Sequence, residues 1–192
     1  MLMLTRLAVY CGSASGNDPA FTAATRELGQ AMAAADIGLV YGGGRLGLMG
    51  VVADTMLAAG GRAHGVIPEA LVPHEVAHSG LDTLETVADM HQRKARMTEL
   101  ADAFICLPGG IGTLDELFEG WTGQALGYHA KPLCLLNVGG FWDGLVSFID
   151  QLVADGFLSP ARRQQLLVAS DAADALEQVS ATLAAANPGV TW

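Results

Sequence analysis

Positive charge is scarce in this 192-residue sequence: ten lysines and arginines stand against twenty acidic residues, for a net charge of -10. A nucleic-acid surface needs a basic stripe, and the composition leaves none to build one. A small anionic ligand needs only one or two local cations and stays open. Aromatic residues make up 6% of the chain, so the apolar half of the sequence is mostly aliphatic and alanine. The three cysteines, Cys11, Cys106 and Cys134, are odd in number and fit no metal-ligand spacing. Each falls in or at the end of a strand, which reads as buried thiols in a reducing, cytoplasmic setting. No apolar run approaches the length of a membrane span. The opening Met1-Leu2-Met3-Leu4-Thr5-Arg6 lacks a signal-peptide layout and moves straight into a strand. No linker, repeat or low-complexity segment divides the chain, so residues 1–192 are expected to form one α/β domain.

What is present is an alternation of short apolar runs with helical patterns. Strands are expected at 7–10, 37–41, 63–67, 83–87, 103–107, 133–137 and 166–169. Helices are expected at about 19–35, 48–59, 89–100, 113–126, 141–155 and 171–186, with a short turn from Pro160 and an irregular connection at 68–80. The strands are continuous apolar runs, the mark of a parallel sheet covered on both faces. The expected fold is therefore a Rossmann-like, doubly wound α/β domain with a mainly parallel sheet. Glycine-rich turns at 12–16, 42–50 and 109–112 all follow strands, which puts them at the carboxyl edge where such sheets bind ligands. Gly42-Gly43-Gly44 with Gly47 is only weakly like a dinucleotide fingerprint, and no Walker lysine follows any of the three turns.

The third turn carries the most chemistry. Leu107-Pro108-Gly109-Gly110-Ile111-Gly112-Thr113-Leu114-Asp115-Glu116 runs from a buried strand into a helix. Its glycines let a ligand approach the backbone, and free amides at the helix start suit a phosphate. Glu116 then sits one turn inside an anion site, where a carboxylate needs a reason. One reason is a capping box, Thr113-x-x-Glu116. The other is catalysis.

Upstream, Met90-His91-Gln92-Arg93-Lys94-Ala95-Arg96-Met97 reads as helix, with Met90, Met97 and Ala101 on the apolar stripe. Arg93 and Lys94 border that stripe. They either lay their stems over it or point into the crevice as an oxyanion clamp, for which the guanidinium of Arg93 is better shaped. Arg96 reads as a surface charge. His74-Glu75-Val76-Ala77-His78 matches the zinc-protease string H-E-x-x-H. That string needs a longer helix than the one turn left between Pro73 and Gly80, so no metal is expected. The alternatives are a lid whose Glu75 meets ligand hydroxyls or a base amine, and a solvated loop.

Taken together, Pro108-Gly109-Gly110-x-Gly112-Thr113-x-x-Glu116 and Met90-His91-x-Arg93-Lys94 resemble the LONELY GUY (LOG) family. Tyr10-Cys11-Gly12-Ser13, Tyr41-Gly42-Gly43-Gly44, Gly47-Leu48-Met49-Gly50 and Leu135-Leu136-Asn137 extend the resemblance over nearly the whole chain. These are cytokinin riboside 5′-monophosphate phosphoribohydrolases, often misnamed lysine decarboxylases. The resemblance implies a Rossmann-like homodimer that needs no cofactor and hydrolyses a nucleoside 5′-monophosphate, AMP or an N6-substituted AMP, to free base and ribose 5-phosphate. It implies catalytic roles for Arg93 and Glu116. Substrate contacts are implied at Glu75, Arg93, Lys94, Gly110, Ile111, Gly112, Thr113, Leu114, Asp115, Glu116 and Thr122. The glycine-rich turns add Gly12, Ser13, Gly43, Gly44 and Gly109. Tyr10, Met49, Met90 and Trp121 are candidates for a base pocket or for plain core packing. Two rival functions stand beside this one: a broad AMP glycosidase, and a nucleotide- or cofactor-binding carrier without turnover. A pyridoxal-dependent decarboxylase finds no lysine in a suitable setting.

Overall fold

Along the central strands the side chains alternate between two apolar layers. Leu7 and Val9 pack on one side of the sheet, and Ala8 and Tyr10 on the other. The computed structural model describes residues 3–73 and 77–186. In chain order the elements are β1 (Arg6–Tyr10), α1 (Pro19–Ala34), β2 (Gly38–Tyr41), α2 (Gly47–Ala58), β3 (Ala63–Pro68) and β4 (Thr83–Val87). They continue as α3 (Met90–Leu100), β5 (Ala103–Cys106), α4 (Ile111–Ala125), β6 (Leu133–Leu136), α5 (Asp143–Ala154), α6 (Pro160–Gln164), β7 (Leu166–Ala169) and α7 (Ala172–Ala186).

The seven strands form one sheet in the order β4-β3-β2-β1-β5-β6-β7. Every ladder is parallel. Helices α1, α2 and α7 cover one face with Leu28, Met32, Val52, Met56, Ala175 and Val179. Helices α3, α4 and α5 cover the other with Met97, Leu117, Trp121 and Ile149. This is the doubly wound α/β architecture read from the sequence. The chain winds outward from β1 through β2 and β3 to β4, then returns to β5 on the opposite side of β1. That reversal opens a crevice beyond the carboxyl ends of β1 and β5.

Local signals explain most boundaries. Asp18 caps α1 through a 2.8 Å bond from the Ala20 amide, with Pro19 in the first turn. Asp89 caps α3 through the Gln92 amide. Helix α4 begins at Ile111, two residues before the expected start. Helix α5 begins at Asp143 rather than 141, because Asn137 builds a corner before it. The Asn137 side chain accepts from the Trp142 amide and donates to Asp143, around a 3-10 turn at Val138–Gly140. The connection after β3 opens with a 3-10 turn at Glu69–Leu71, and Ala77 forms an antiparallel bridge with Gly44.

At the opposite edge, Asp102 joins the starts of β1 and β5. Its carboxylate accepts from the Thr5 amide (2.9 Å), the Thr5 hydroxyl (2.8 Å) and the Arg6 amide (2.9 Å). Partial burial pushes the Asp102 pKa up, but these bonds outweigh it and hold the carboxyl below its usual value. A lowered carboxyl pKa stabilises the fold above the unfolded-state value, and that contribution is lost as pH falls through the folded value. Asp102→Ala is therefore expected to cost about 1–2 kcal/mol near neutral pH. The deficit should shrink in acid, as chemical denaturation at both pH values will show.

Candidate active site

The three glycine-rich turns interlock at the crevice. The Gly12 amide donates to Pro108 O (3.1 Å), tying the turn after β1 to the turn after β5. Gly12 O in turn accepts from the Leu48 and Met49 amides at the start of α2 (3.0 and 3.3 Å). Gly47 lies so close to Ser13 that an added Cβ would stand 2.3 Å from the Ser13 carbonyl carbon, and its φ is +58°. The opening amides of α2 are thus occupied by protein. Those of α4 are different. Gly110 caps α4 without any side-chain hydrogen bond, and Gly110, Ile111, Gly112 and Thr113 line the cavity. This leaves α4 as the anion-facing helix start.

The cavity measures about 390 Å³ and is also lined by Cys11, Gly12, Ser13, Met49, Leu71, Met90, Arg93 and Glu116. Arg93 is 4% exposed. Its Nε donates to Val66 O (3.1 Å) and one terminal nitrogen to Gly42 O (2.8 Å), while the other lies 3.6 Å from the Met90 sulfur. Two carbonyls at the ends of β3 and β2 thus hold the guanidinium at the cavity wall. Glu116 is 8% exposed and belongs to the second turn of α4. Since the helix starts at Ile111, Thr113 is inside it rather than its cap, and the capping box does not form. The Glu116 carboxylate makes itself felt in the core. Burial, and next to it Glu116, raise the pKa of both Tyr10 and Cys106 well above their ordinary values.

The structure brings together Gly12, Ser13, Arg93, Gly110, Ile111, Gly112, Thr113 and Glu116 on this one cavity. Gly109 lines a smaller adjoining recess of about 220 Å³ with Ser15, Phe21 and Phe141. Gly43 and Gly44 are buried, away from the cavity lining, and Leu114 packs against the core. Lys94 turns to α4, where its ammonium pairs with Asp115 (2.9 Å) and Glu119. Burial disfavours the Lys94 charge, but these two partners outweigh it and raise its pKa. Asp115 and Thr122 stand on the outer face of α4, outside the cavity. Tyr10 and Trp121 are core residues, whereas Met49 and Met90 do reach the cavity. Arg96, read as a plain surface charge, forms a two-pronged pair with Glu85 (2.8 and 3.0 Å). Glu75 and His74 lie outside the described residues. Leu71 joins the cavity from the connection after β3, where no sequence pattern marks it. Gly42 was hidden in a run of three glycines, and its signal was the run itself.

Comparison with known proteins places nearly the whole chain among relatives of one family. A family profile described as possible lysine decarboxylase matches residues 49–179. The chain is 46% identical over 174 residues to cytokinin riboside 5′-monophosphate phosphoribohydrolase LOG7 of Arabidopsis thaliana, covering 91% of this chain and 80% of the relative. It is 43% identical over 187 residues to cytokinin riboside 5′-monophosphate phosphoribohydrolase LOG of Oryza sativa subsp. japonica, covering 97% and 77%. Among solved structures, the Moco carrier protein from Chlamydomonas reinhardtii superposes with a TM-score of 0.72 at 22% identity, over 95% of this chain and 99% of that one. At that identity the likeness shows the fold alone.

A Cβ added at Gly42 would lie 1.8 Å from a terminal nitrogen of Arg93. Gly42→Ala is expected to fold and to turn the Arg93 guanidinium off Gly42 O. A crystal structure of the variant checks this, and an unmoved Arg93 would refute the close-approach role of Gly42.

Proposed function

The chain belongs to the LOG family of cytokinin riboside 5′-monophosphate phosphoribohydrolases, and from that premise we propose that Arg93 and Glu116 hydrolyse the N-glycosidic bond of a nucleoside 5′-monophosphate in the cavity beyond β1 and β5. The enzyme adds water to the substrate and releases free base and ribose 5-phosphate. The observation that carries the residue assignment is the convergence of these two buried, oppositely charged side chains on one cavity beside the α4 amides.

The chemistry follows from the placement. The phosphate is the handle, held by the opening amides of α4, and its binding energy sets the ribose beneath the wall that carries Glu116. As the bond to the base lengthens, positive charge grows on the ribose ring. The Glu116 carboxylate stabilises that charge and orients and deprotonates the attacking water. Two backbone carbonyls hold Arg93 at the cavity wall, where its positive charge stands beside the substrate oxyanion or the departing base. Met49, Met90 and Leu71 supply an apolar wall for the base. Such a wall tolerates N6 substituents, so AMP and its N6-alkylated derivatives both fit. The decarboxylase wording of the family profile finds no support in the residues. The two lysines of the chain are Lys94, paired with Asp115 and Glu119, and Lys131, which donates to Thr98 O; neither lines the cavity.

The finer expectations also belong here. Lys94 acts by orienting α4 through Asp115 and Glu119. The homodimer is assigned to the outer face of α3 and α4, where Phe118, Leu126 and Tyr128 are exposed around a groove of about 720 Å³. Ile111, 85% exposed, continues that apolar face to the cavity mouth. No helix among the described residues is long and apolar enough to cross a membrane, and the buried free thiols agree with a cytoplasmic setting.

Wild-type protein incubated with AMP and with isopentenyladenosine monophosphate is expected to release free base. No release from either, with nucleotide binding intact, would favour the carrier alternative. Glu116→Gln should lower kcat by about 1,000-fold while leaving nucleotide affinity close to wild type. Light scattering should give the mass of two 19.9-kDa chains, and Phe118→Arg should shift the protein toward one.

A further inference from the structure

The proposed reaction uses neither histidine of the H-E-x-x-H string, and His78, the one among the described residues, has specific surroundings. The His78 side chain is only 10% exposed. Its Nδ1 accepts from the Gly80 amide (3.1 Å), so in the neutral ring Nε2 carries the hydrogen and donates to Asp54 Oδ1 (2.9 Å) on α2. Both ring nitrogens are therefore engaged within the protein.

The backbone of the same segment is attached to the second glycine turn. The His78 amide donates to Gly43 O (3.0 Å), and Ala77 bridges Gly44 in antiparallel fashion. The residue before Gly43 is Gly42, whose carbonyl accepts from Arg93. Asp54 belongs to the helix that this turn leads into. A closed ring results: turn 42–46, α2 to Asp54, the His78 side chain, and the 77–78 backbone returning to Gly43 and Gly44. Glycines hold a turn with little torsional restraint of their own. The ring supplies the restraint that their missing side chains do not.

We propose that His78 is a positioning residue for Arg93: by bridging Asp54 and Gly80 it fixes the Gly42–Gly44 turn and thereby holds the guanidinium at the cavity wall. The kinetic part of this rests on the proposed hydrolysis, whereas the structural part does not. Asp54 is 73% exposed, so its removal tests the ring without opening the core.

The experiment compares wild type, His78→Ala, His78→Gln and Asp54→Ala. Gln keeps a donor toward Asp54. Turnover is measured well below each Tm and corrected for the folded fraction, alongside the Arg93 Nε–H signal in 15N NMR. His78→Ala and Asp54→Ala are expected to lower kcat about 10-fold, through misplacement of a group remote from the substitution. KM should change less, and His78→Gln should recover most of the loss. In an Arg93→Lys background His78→Ala should add little, because its effect runs through Arg93. The Arg93 Nε–H, protected by Val66 O in wild type, should shift and exchange faster in both Ala variants and be restored in His78→Gln. Full kcat in Asp54→Ala, additivity on Arg93→Lys, or an unmoved Arg93 signal would each overturn the proposal. Absence of base release from wild type would sink the hydrolase reading instead, and the NMR arm would still decide the role of His78.

Discussion

A guanidinium removed from water has to be given acceptors by the protein, and the burial of Arg93 imposes that condition on three elements at once. Helix α3 brings the side chain in at 4% exposure, β3 supplies Val66 O, and the turn after β2 supplies Gly42 O. Gly42 has no Cβ because a Cβ there would occupy the space of the guanidinium. The direction of Arg93 is thereby settled by two main-chain carbonyls, one in β3 and one in the turn after β2. A cation fixed in this way needs little rearrangement as charge develops beside it.

The second constraint is the reversal of strand order at β1 and β5. It places two turns side by side, and the hydrogen bonds through Gly12 make one surface of them and of the start of α2. The same bonds distinguish two helix starts that look alike in sequence. The amides of α2 are spent on Gly12 O. Those of α4 open on the cavity, with Glu116 one turn further along the same helix. The amides proposed to hold the phosphate and the Glu116 carboxylate therefore share one helix, which fixes their separation.

Much of this was legible in the sequence. Continuous apolar strands alternating with helices point to a doubly wound parallel sheet, and the glycine turns after strands point to its carboxyl edge. Arg93 and Glu116 stood out because a cation beside an apolar stripe and a carboxylate inside an anion site both need a reason. The misreadings have physical causes. The helix after Pro108 starts at Ile111 rather than Thr113 because glycine can cap a helix with its backbone alone, leaving no side-chain signal, and of the two readings of Glu116 the capping box is the one that this start removes. Lys94 neighbours Arg93 in sequence, but a helix turns successive residues by about 100°, and that rotation carries Lys94 to Asp115 and Glu119 on α4. Asn137 delays α5 through side-chain bonds to residues five and six positions away. Leu71 reaches the cavity by tertiary packing alone.

The proposed hydrolysis requires one cavity to serve phosphate, ribose and base together, with Arg93 and Glu116 on the same reacting centre. The most direct test is a crystal structure of Glu116→Gln with AMP bound. The phosphate is expected on the α4 amides and the ribose anomeric carbon within about 4 Å of the residue 116 side chain, with Arg93 in contact with the nucleotide. A nucleotide seated elsewhere, such as the cleft at the opposite sheet edge lined by Arg6, Arg62 and Asp82, or one whose ribose points away from residue 116, would contradict it.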